Sequence, residues 1–192
     1  MKKKDNTRPQ KIIATVAQMM IESGIPSITM PKVARRVGIS QSNIYLYFKN
    51  KDDLMKQTFL TQKRLMNDYL KERFTPQADV ISDLRLYARI VFQFASDYPV
   101  AVSVMMQYEN SPIMAQVNIS EQEAEIDAHE IIGLVQEGMA AGVIRQTEPE
   151  VLLGIGYNIL INYAQGIQAR TVDPVKVPLE VILDIITAAV KP

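Results

Sequence analysis

The segment Met30–Lys49 constrains the fold more than any other part of the chain, because small, apolar and polar residues follow a fixed spacing in it. Ala34 and Gly38 are four residues apart, as two short helices that cross over a tight turn require. Apolar residues suited to the inside of such a crossing lie on both sides of the turn: Val33, Val37, Ile39, Ile44 and Phe48. We therefore predict a helix-turn-helix unit over about residues 29–48.

The residues that do not suit the inside of this unit are polar or aromatic. They would form the outer face of its second helix: Gln41, Ser42, Asn43, Tyr45 and Tyr47. Gln and Asn amides can pair with adenine in the major groove, and Ser, Tyr and Lys contact phosphates. Taken singly, Gln41 and Asn43 fit an ordinary polar surface equally well. Together with the turn and the aromatic residues, they favour contact with DNA.

Basic residues are concentrated in the N-terminal part of the chain. Residues 1–51 include ten Lys or Arg and two acidic residues, a net charge of +8, whereas the remainder has 11 basic and 19 acidic residues, a net charge of −8. Such asymmetry indicates a polyanionic partner for the basic part. A lysine-rich solvated tail would account for Lys2–Lys4 but not for Lys32–Lys51, which lie among structural residues.

Apolar residues recur at three- and four-residue steps along nearly the whole chain, so we predict an all-α protein of about nine helices. Thr29, Ser40 and Asn50 are predicted N-caps, and Gly24 and Gly38 are predicted helix ends. The predicted helices cover approximately residues 9–23, 30–37, 41–48, 51–74, 80–97, 99–108, 120–142, 147–170 and 179–190. Capping boxes at residues 120–123 and 147–150 open the seventh and eighth helices.

The last two predicted helices are unusually apolar. In the final helix only Glu180 and Asp184 are charged, so its apolar face is wide. Such a helix is either central to its own domain or half of an interface. Both alternatives are open, and we favour the interface.

Composition argues against an enzyme. The chain has no cysteine and a single histidine, His129, so cysteine nucleophiles, zinc–thiolate sites and histidine pairs are excluded. Several acidic residues crowd near His129, but their spacing spreads them around a helix and favours a solvated face: Glu121, Glu123, Glu125, Asp127 and Glu130. We therefore predict no catalytic residue, no metal and no cofactor. A protein-interaction module with a helix-turn-helix shape is the alternative to a DNA-binding protein.

The segment TMPKVARRVGISQSNIYLYFKNKDDL, residues 29–54, resembles the DNA-binding signature of the TetR/AcrR family of bacterial regulators. The resemblance extends from Gln10 to about Leu60, and its most specific part is the aromatic-x-aromatic-Phe-x-x-Lys ending. It implies a helix-turn-helix DNA-binding domain over residues 6–66 and an effector-binding and dimerisation domain over residues 67–192. It also implies a homodimer that pairs through residues 149–170 and 179–190. The absence of cysteine separately favours a reducing cytoplasm. No apolar run in the sequence approaches the length of a membrane span.

The resemblance also assigns roles to residues of the helix-turn-helix. Base contacts fall on Gln41, Ser42 and Asn43. Phosphate contacts fall on Thr29, Ser40, Tyr45, Tyr47 and Lys51. Lys51 would also lie at a helix start, where free N–H groups favour a phosphate, and Leu46 is expected to be partly buried under Tyr45. The family default is a repressor that releases a palindromic operator when a small molecule binds.

The effector pocket is harder to place from sequence. Plausible lining residues combine apolar surface with a few polar groups: Phe92, Met105, Met106, Tyr108, Asn158, Asn162 and Tyr163. For each of them, core packing or an interface is the more common explanation. Arg85 and Arg89, one turn apart, could meet an anionic ligand or face water. Few charges fall in the predicted core, so we expect a neutral or weakly polar hydrophobic ligand.

Overall fold

The computed structural model describes residues 7–76, 79–109, 111 and 129–192, and this part of the chain contains helices and no strands. The helices are α1 (Arg8–Ser23), α2 (Met30–Val37), α3 (Gln41–Ile44), α4 (Lys51–Arg73), α5 (Val80–Asp97), α6 (Pro99–Glu109), α7 (His129–Ala140), α8 (Pro149–Gln168) and α9 (Leu179–Val190), with a short 3-10 turn at Ile25–Ser27. The predicted all-α fold is confirmed. Of the helices in the described ranges, none is both long and apolar enough to cross a membrane.

The described residues form two compact units. The first contains residues 7–65 together with 100–109 and 111, and the second contains residues 66–76, 79–99 and 129–192. The first unit therefore includes most of α6, which a division at residue 66 would assign to the C-terminal domain. The functional division itself stays a prediction.

The first unit is built around the inner faces of α1, α2 and the segment that follows α3. The largest contributors are less than a tenth exposed: Ile12, Val16, Met20, Val33, Val37, Ile44 and Phe48. Gly24 and Gly38 end α1 and α2 with positive φ angles of 72° and 80°, a region that glycine adopts without steric cost. The Gly38 amide donates to the Ala34 carbonyl at 3.0 Å, which closes the end of α2.

The second unit is organised around α5, which packs against α7, α8 and α9. One cluster in its core joins Val135, Met139, Ile144 and Leu152. Gly138 of α7 allows this cluster to close, because a Cβ built there would lie 2.5 Å from Ile144 Cδ1.

Two predicted helix boundaries were wrong. The helix α3 ends at Ile44 and continues as a turn over residues 45–47, whereas the prediction extended it to residue 48. The helix α8 begins at Pro149 with Glu148 at its N-cap and no side-chain cap bond, so Thr147 does not cap it. Proline at the first position has its φ angle already set for a helix and explains this start. The predicted capping box at residues 120–123 lies outside the described residues.

Candidate nucleic-acid interface

The helix-turn-helix is held by capping at the start of α2 and by the glycine turn at its end. Thr29 Oγ1 accepts a hydrogen bond from the Lys32 amide at 3.4 Å, which confirms Thr29 as the N-cap. Thr29 is exposed, and Gly38 then turns the chain toward α3.

The segment after Gly38 separates into an inner and an outer face. Ile44 and Phe48 are 0% and 3% exposed, so they close the core. Gln41, Ser42 and Tyr45 are exposed, while Asn43 and Tyr47 are half-buried. The structure thus brings the predicted contact residues of α3 to one short segment above an apolar core.

Hydrogen bonds order part of the outer face. Gln41 Nε2 donates to the Tyr45 hydroxyl at 3.4 Å, one helical turn away. The hydroxyls of Ser40 and Ser42 are 2.9 Å apart and share a hydrogen bond. Ser40 occupies the predicted N-cap position of α3, but its hydroxyl makes no cap bond to the helix.

The side chains of Asn50 and Asp53 cap the start of α4. Asn50 Oδ1 accepts from the Asp53 amide at 2.8 Å, and Asp53 Oδ2 accepts from the Lys49 amide at 2.8 Å. Asn50 is confirmed as the N-cap. Lys51 is not needed for capping, and no carboxylate in the described ranges pairs with it. Its ammonium group and the first amides of α4 remain suited to an anion.

Two of the basic residues in this region serve the fold. Arg36 forms an ion pair with Glu22 of α1 at 2.6 Å, and Lys32 Nζ donates to the Ser27 carbonyl at 3.2 Å. The hydrogen bond from Arg36 holds the pKa of Glu22 below its usual value. Arg35 is exposed and, like Lys51, pairs with no acidic side chain among the residues the structure describes. Arg35 and Lys51 are therefore available to an external anion, as is the exposed Lys49.

Leu46 departs from its prediction. It is 64% exposed, more than the 48% of Tyr45, so it is not buried under that tyrosine. The reason is that Ile44 and Phe48 already occupy the inside of the turn. No sequence signal distinguished Leu46 from an ordinary core leucine.

The predicted pocket residues divide between the two units. Met105 and Tyr108 are buried in the first unit, and Met106 is half-buried there. The Tyr108 ring stacks on Phe59 with centroids 3.9 Å apart. Its buried hydroxyl has no hydrogen-bond partner among the residues that the structure describes, and burial raises the pKa of Tyr108 to about 12.

The other predicted pocket residues belong to the second unit. Phe92 and Tyr163 pack with ring centroids 5.4 Å apart, and the Tyr163 hydroxyl donates to the Val177 carbonyl at 2.6 Å. Asn158 and Asn162 are exposed on α8. They lie at helical spacing from the exposed Val151 and Ile155, so all four residues share the outer face of α8.

Sequence reasoning missed a groove in the second unit with a volume of 720 Å³. Residues of α5 and α7 line it, among them Val80, Glu130, Leu134 and Glu137, and none of the predicted pocket residues does. The acidic residues Glu121, Glu123, Glu125 and Asp127 lie outside the described residues. His129 and Glu130 are both exposed at the start of α7.

Arg85 and Arg89 are engaged by acidic side chains of the same unit, so neither of the two predicted alternatives, an anionic ligand or water, describes them. Arg85 pairs with Glu180 at 3.0 Å and with Asp184 at 2.7 Å, and Arg89 hydrogen-bonds to Glu180. These contacts join α5 to α9. The hydrogen bond from Arg89 holds the pKa of Glu180 below its usual value.

Comparison with known proteins agrees with the geometry of the first unit. Residues 12–58 match the model of the tetR family of bacterial regulatory proteins. An HTH-type transcriptional regulator of Haemophilus influenzae is 23% identical over 157 residues, which cover 81% of this chain and 80% of the relative.

Solved structures share the fold over nearly the full length. A TetR family transcription regulator from Marinobacter aquaeolei has a TM-score of 0.83 at 17% identity and covers 100% of this chain and 99% of its own. The transcriptional regulator FadR from Bacillus subtilis, solved in complex with stearoyl-CoA, has a TM-score of 0.72 at 16% identity and covers 94% of this chain and 98% of its own.

The family match covers the same residues that form the capped, closed helix-turn-helix. The predicted resemblance is therefore confirmed: residues 12–58 match the DNA-binding part of the tetR family of bacterial regulatory proteins, and the relatives similar to most of the chain are transcriptional regulators.

Proposed function

We propose that the chain is a cytoplasmic homodimeric repressor, which binds a palindromic operator and releases it when a small hydrophobic molecule binds the C-terminal domain. The observation that carries the proposal is the exposed row of Gln41, Ser42 and Tyr45 above a core closed by Ile44 and Phe48. A polar row over a rigid apolar base is the arrangement that a recognition helix requires.

Within this proposal, base edges are read by Gln41, Ser42 and Asn43. Phosphates are contacted by Thr29, Ser40, Tyr45, Tyr47 and Lys51. Two observations support these roles: Thr29 and Ser40 are exposed, and Lys51 has no carboxylate partner in the described part of the chain. Phosphate contacts set the position of the protein on the duplex, whereas base contacts specify sequence.

The roles of Gln41 and Lys51 are separable by selection of bound duplexes from a random library. Gln41→Ala should relax sequence preference at one position, where a wrong base normally costs about 1–3 kcal/mol. Lys51→Ala should weaken binding to all duplexes alike and reduce the salt slope by about one unit. Gln93→Ala, at an exposed glutamine of the second unit, is the matched control and should change neither. Equal loss of preference in the Gln41 and Lys51 variants would contradict the roles.

The outer faces of α8 and α9 support a homodimer. Val151, Ile155, Val181 and Ile185 are between 42% and 52% exposed, although Leu183 on the inner face of α9 is 1% exposed. One face of α9 thus packs inside the unit, and the exposed apolar face is available for a partner. Contiguous apolar surface of this kind is typical of interaction sites.

The dimer is tested by light scattering after gel filtration. Ile155→Asp combined with Ile185→Asp should give a monomer, because each buries an unpaired carboxylate in the proposed interface. Val175→Asp is the control, since Val175 is 88% exposed and lies between the two helices in sequence. A double variant that stays dimeric would place the interface elsewhere.

The apolar interior and the FadR structure support the part of the proposal that concerns the effector. FadR from Bacillus subtilis was solved with stearoyl-CoA, so we propose a molecule with a long apolar portion as the effector class. Stearoyl-CoA and stearate are the first probes, and release of the selected duplex is measured by fluorescence anisotropy. If neither probe releases it while each is shown to bind the chain, effector control of DNA binding is refuted for this class.

We propose that α4 transmits the effector signal, because it is continuous from Lys51 to Arg73 and contributes residues to both units. Two recognition helices must be about 34–36 Å apart, or a multiple of that, to read successive major grooves. The chain has no cysteine, so a single spin label at Lys11→Cys in each protomer reports the separation. An effector that releases DNA without changing this distance would refute the proposal that α4 transmits the signal by changing the separation of the recognition helices.

A further inference from the structure

We propose that Leu46 is a sequence-reading residue whose side chain contacts the 5-methyl group of a thymine in the major groove. The inference rests on the proposed DNA-reading role of α3 and adds a contact of different chemistry. Gln41, Ser42 and Asn43 read bases by hydrogen bonds, whereas Leu46 offers only apolar surface.

The exposure of Leu46 follows from the packing on either side of it. Leu46 is 64% exposed, while Ile44 and Phe48, two residues before and after it, are 0% and 3% exposed. The amides of Tyr47 and Phe48 both donate to the Ile44 carbonyl, at 2.9 and 3.0 Å. These hydrogen bonds fix the backbone of the turn. Because Ile44 and Phe48 both face the core, Leu46, which lies midway between them, faces outward.

Leu46 extends the row of candidate base readers by one turn. It follows Ser42 by four residues and Asn43 by three, and residues at these spacings are neighbours on a helical surface. The Tyr45 amide bonds to the Gln41 carbonyl at 3.5 Å, which carries the helical winding from α3 into the turn. The leucine therefore lies beside the residues proposed to face bases.

The surroundings of Leu46 indicate which apolar group it meets. Apart from the neighbouring Tyr45, the other large exposed apolar residues of the first unit described by the structure are on different elements, namely Ile21 of α1 and Val100 of α6, at 40% and 37% exposure. One leucine is too small a patch for a protein interface. Hydroxyls and the unpaired cation Lys51 are close to it in sequence and suit a nucleic acid. In the major groove, the apolar group that marks a base is the thymine methyl.

The test uses duplexes selected by the wild-type chain from a random library. Each thymine of the selected site is replaced in turn by deoxyuridine, which removes only the methyl group. Wild-type protein should lose about fourfold in affinity at one thymine of each half-site, the effect of uncovering one methyl-sized group. Leu46→Ser should lose a similar factor on the unmodified duplex and lose nothing further on the deoxyuridine duplex.

Two variants serve as controls for this test. Ile21→Ser removes an exposed apolar side chain of α1 and should keep the full deoxyuridine effect. Leu46→Met keeps apolar surface at the position and should keep most of it. Because Leu46 is exposed, Leu46→Ser should retain the helical circular dichroism spectrum and melting temperature of the wild type.

Three results would overturn the inference. The first is a deoxyuridine effect of equal size in Leu46→Ser and wild type. The second is a uniform weakening by Leu46→Ser on duplexes with no methyl dependence in the wild type, which would indicate contact with the sugar–phosphate backbone. The third is failure of the wild-type chain to select any duplex, which would overturn the proposed function as well. The first two leave DNA binding intact, so the failures are distinguishable.

Discussion

Gly138 is predicted to be essential for packing although it lies in the middle of a helix, where glycine is normally unfavourable. A Cβ built at this position would lie 2.5 Å from Ile144 Cδ1, 2.8 Å from Ile144 Cγ1 and 2.8 Å from Val80 Cγ1. These distances are well below ordinary van der Waals contact. Gly133, in the same helix α7, has no atom of the described residues within 4 Å of its built Cβ. Gly138→Ala and Gly133→Ala are therefore a matched pair.

The expected magnitude follows from two opposing effects. Replacing a helix-interior glycine by alanine stabilises the helix by up to about 1 kcal/mol at either position. At Gly138 the added methyl group also overpacks the core, at a typical cost of about 1–3 kcal/mol. Ile144 is 1% exposed and cannot swing into solvent. We expect Gly133→Ala to be stabilised and Gly138→Ala to be less stable than it by about 1–3 kcal/mol, because the propensity effect cancels in the difference.

The pair is measured by thermal and urea unfolding followed by circular dichroism, with protomer concentration held equal because association adds to apparent stability. For a chain of this length, each kcal/mol corresponds to about 2–4 °C in melting temperature. The reasoning is refuted if Gly138→Ala is as stable as Gly133→Ala. A crystal structure of Gly138→Ala should show Ile144 or Val80 in a changed rotamer.

Three further predictions concern electrostatics and backbone conformation. Arg89 holds the pKa of Glu180 below the usual 4.5, so the pair stabilises the folded protein above that pH. This contribution to stability is lost as the pH falls through the lowered pKa of the folded state. Glu180→Gln should therefore flatten the decline in urea midpoints from about pH 6 to pH 3. Gly38→Ala should lower the free energy of unfolding by about 1 kcal/mol through the positive φ angle alone. A Cβ built at Gly38 meets no described atom within 4 Å, so no steric clash adds to this effect. Equal stability of the variant and the wild type would contradict the prediction. Arg170, with a φ angle of 59°, should show the reverse: Arg170→Gly should raise stability by about 0.5 kcal/mol in urea unfolding.

Much of the first unit was predictable because its signals are local. The N-cap bonds of Thr29 and Asn50 involve residues three positions away, so a short window of sequence contains both partners. The turn at Gly38 likewise depends on the φ angle of one residue. Apolar spacing predicted which residues of α2 are buried, because helical periodicity places them on one side. The end of α3 was not predictable in this way, since its tight turn depends on how Ile44 and Phe48 pack.

The candidate contact surface was predictable in its residues but not in its full membership. Gln41, Ser42 and Tyr45 were expected outside and are exposed. Leu46 was expected to be partly buried under Tyr45, because an apolar residue among aromatic residues has no local signal that marks it as exposed. Its exposure depends on whether neighbouring side chains leave any volume for it, and that is a property of packing.

The sequence by itself determined the helical elements, the caps at Thr29 and Asn50 and the helix-turn-helix, since each depends on contacts within a few residues. Only the tertiary structure decided the partners of distant side chains. Arg85 and Arg89 are engaged by Glu180, more than 90 residues away, and Asn158 and Asn162 share an exposed stripe with Ile155. Gly138 is needed because Val80 and Ile144 converge on it from two other segments. Such contacts depend on how helices cross in space, and the helical period alone does not specify that crossing.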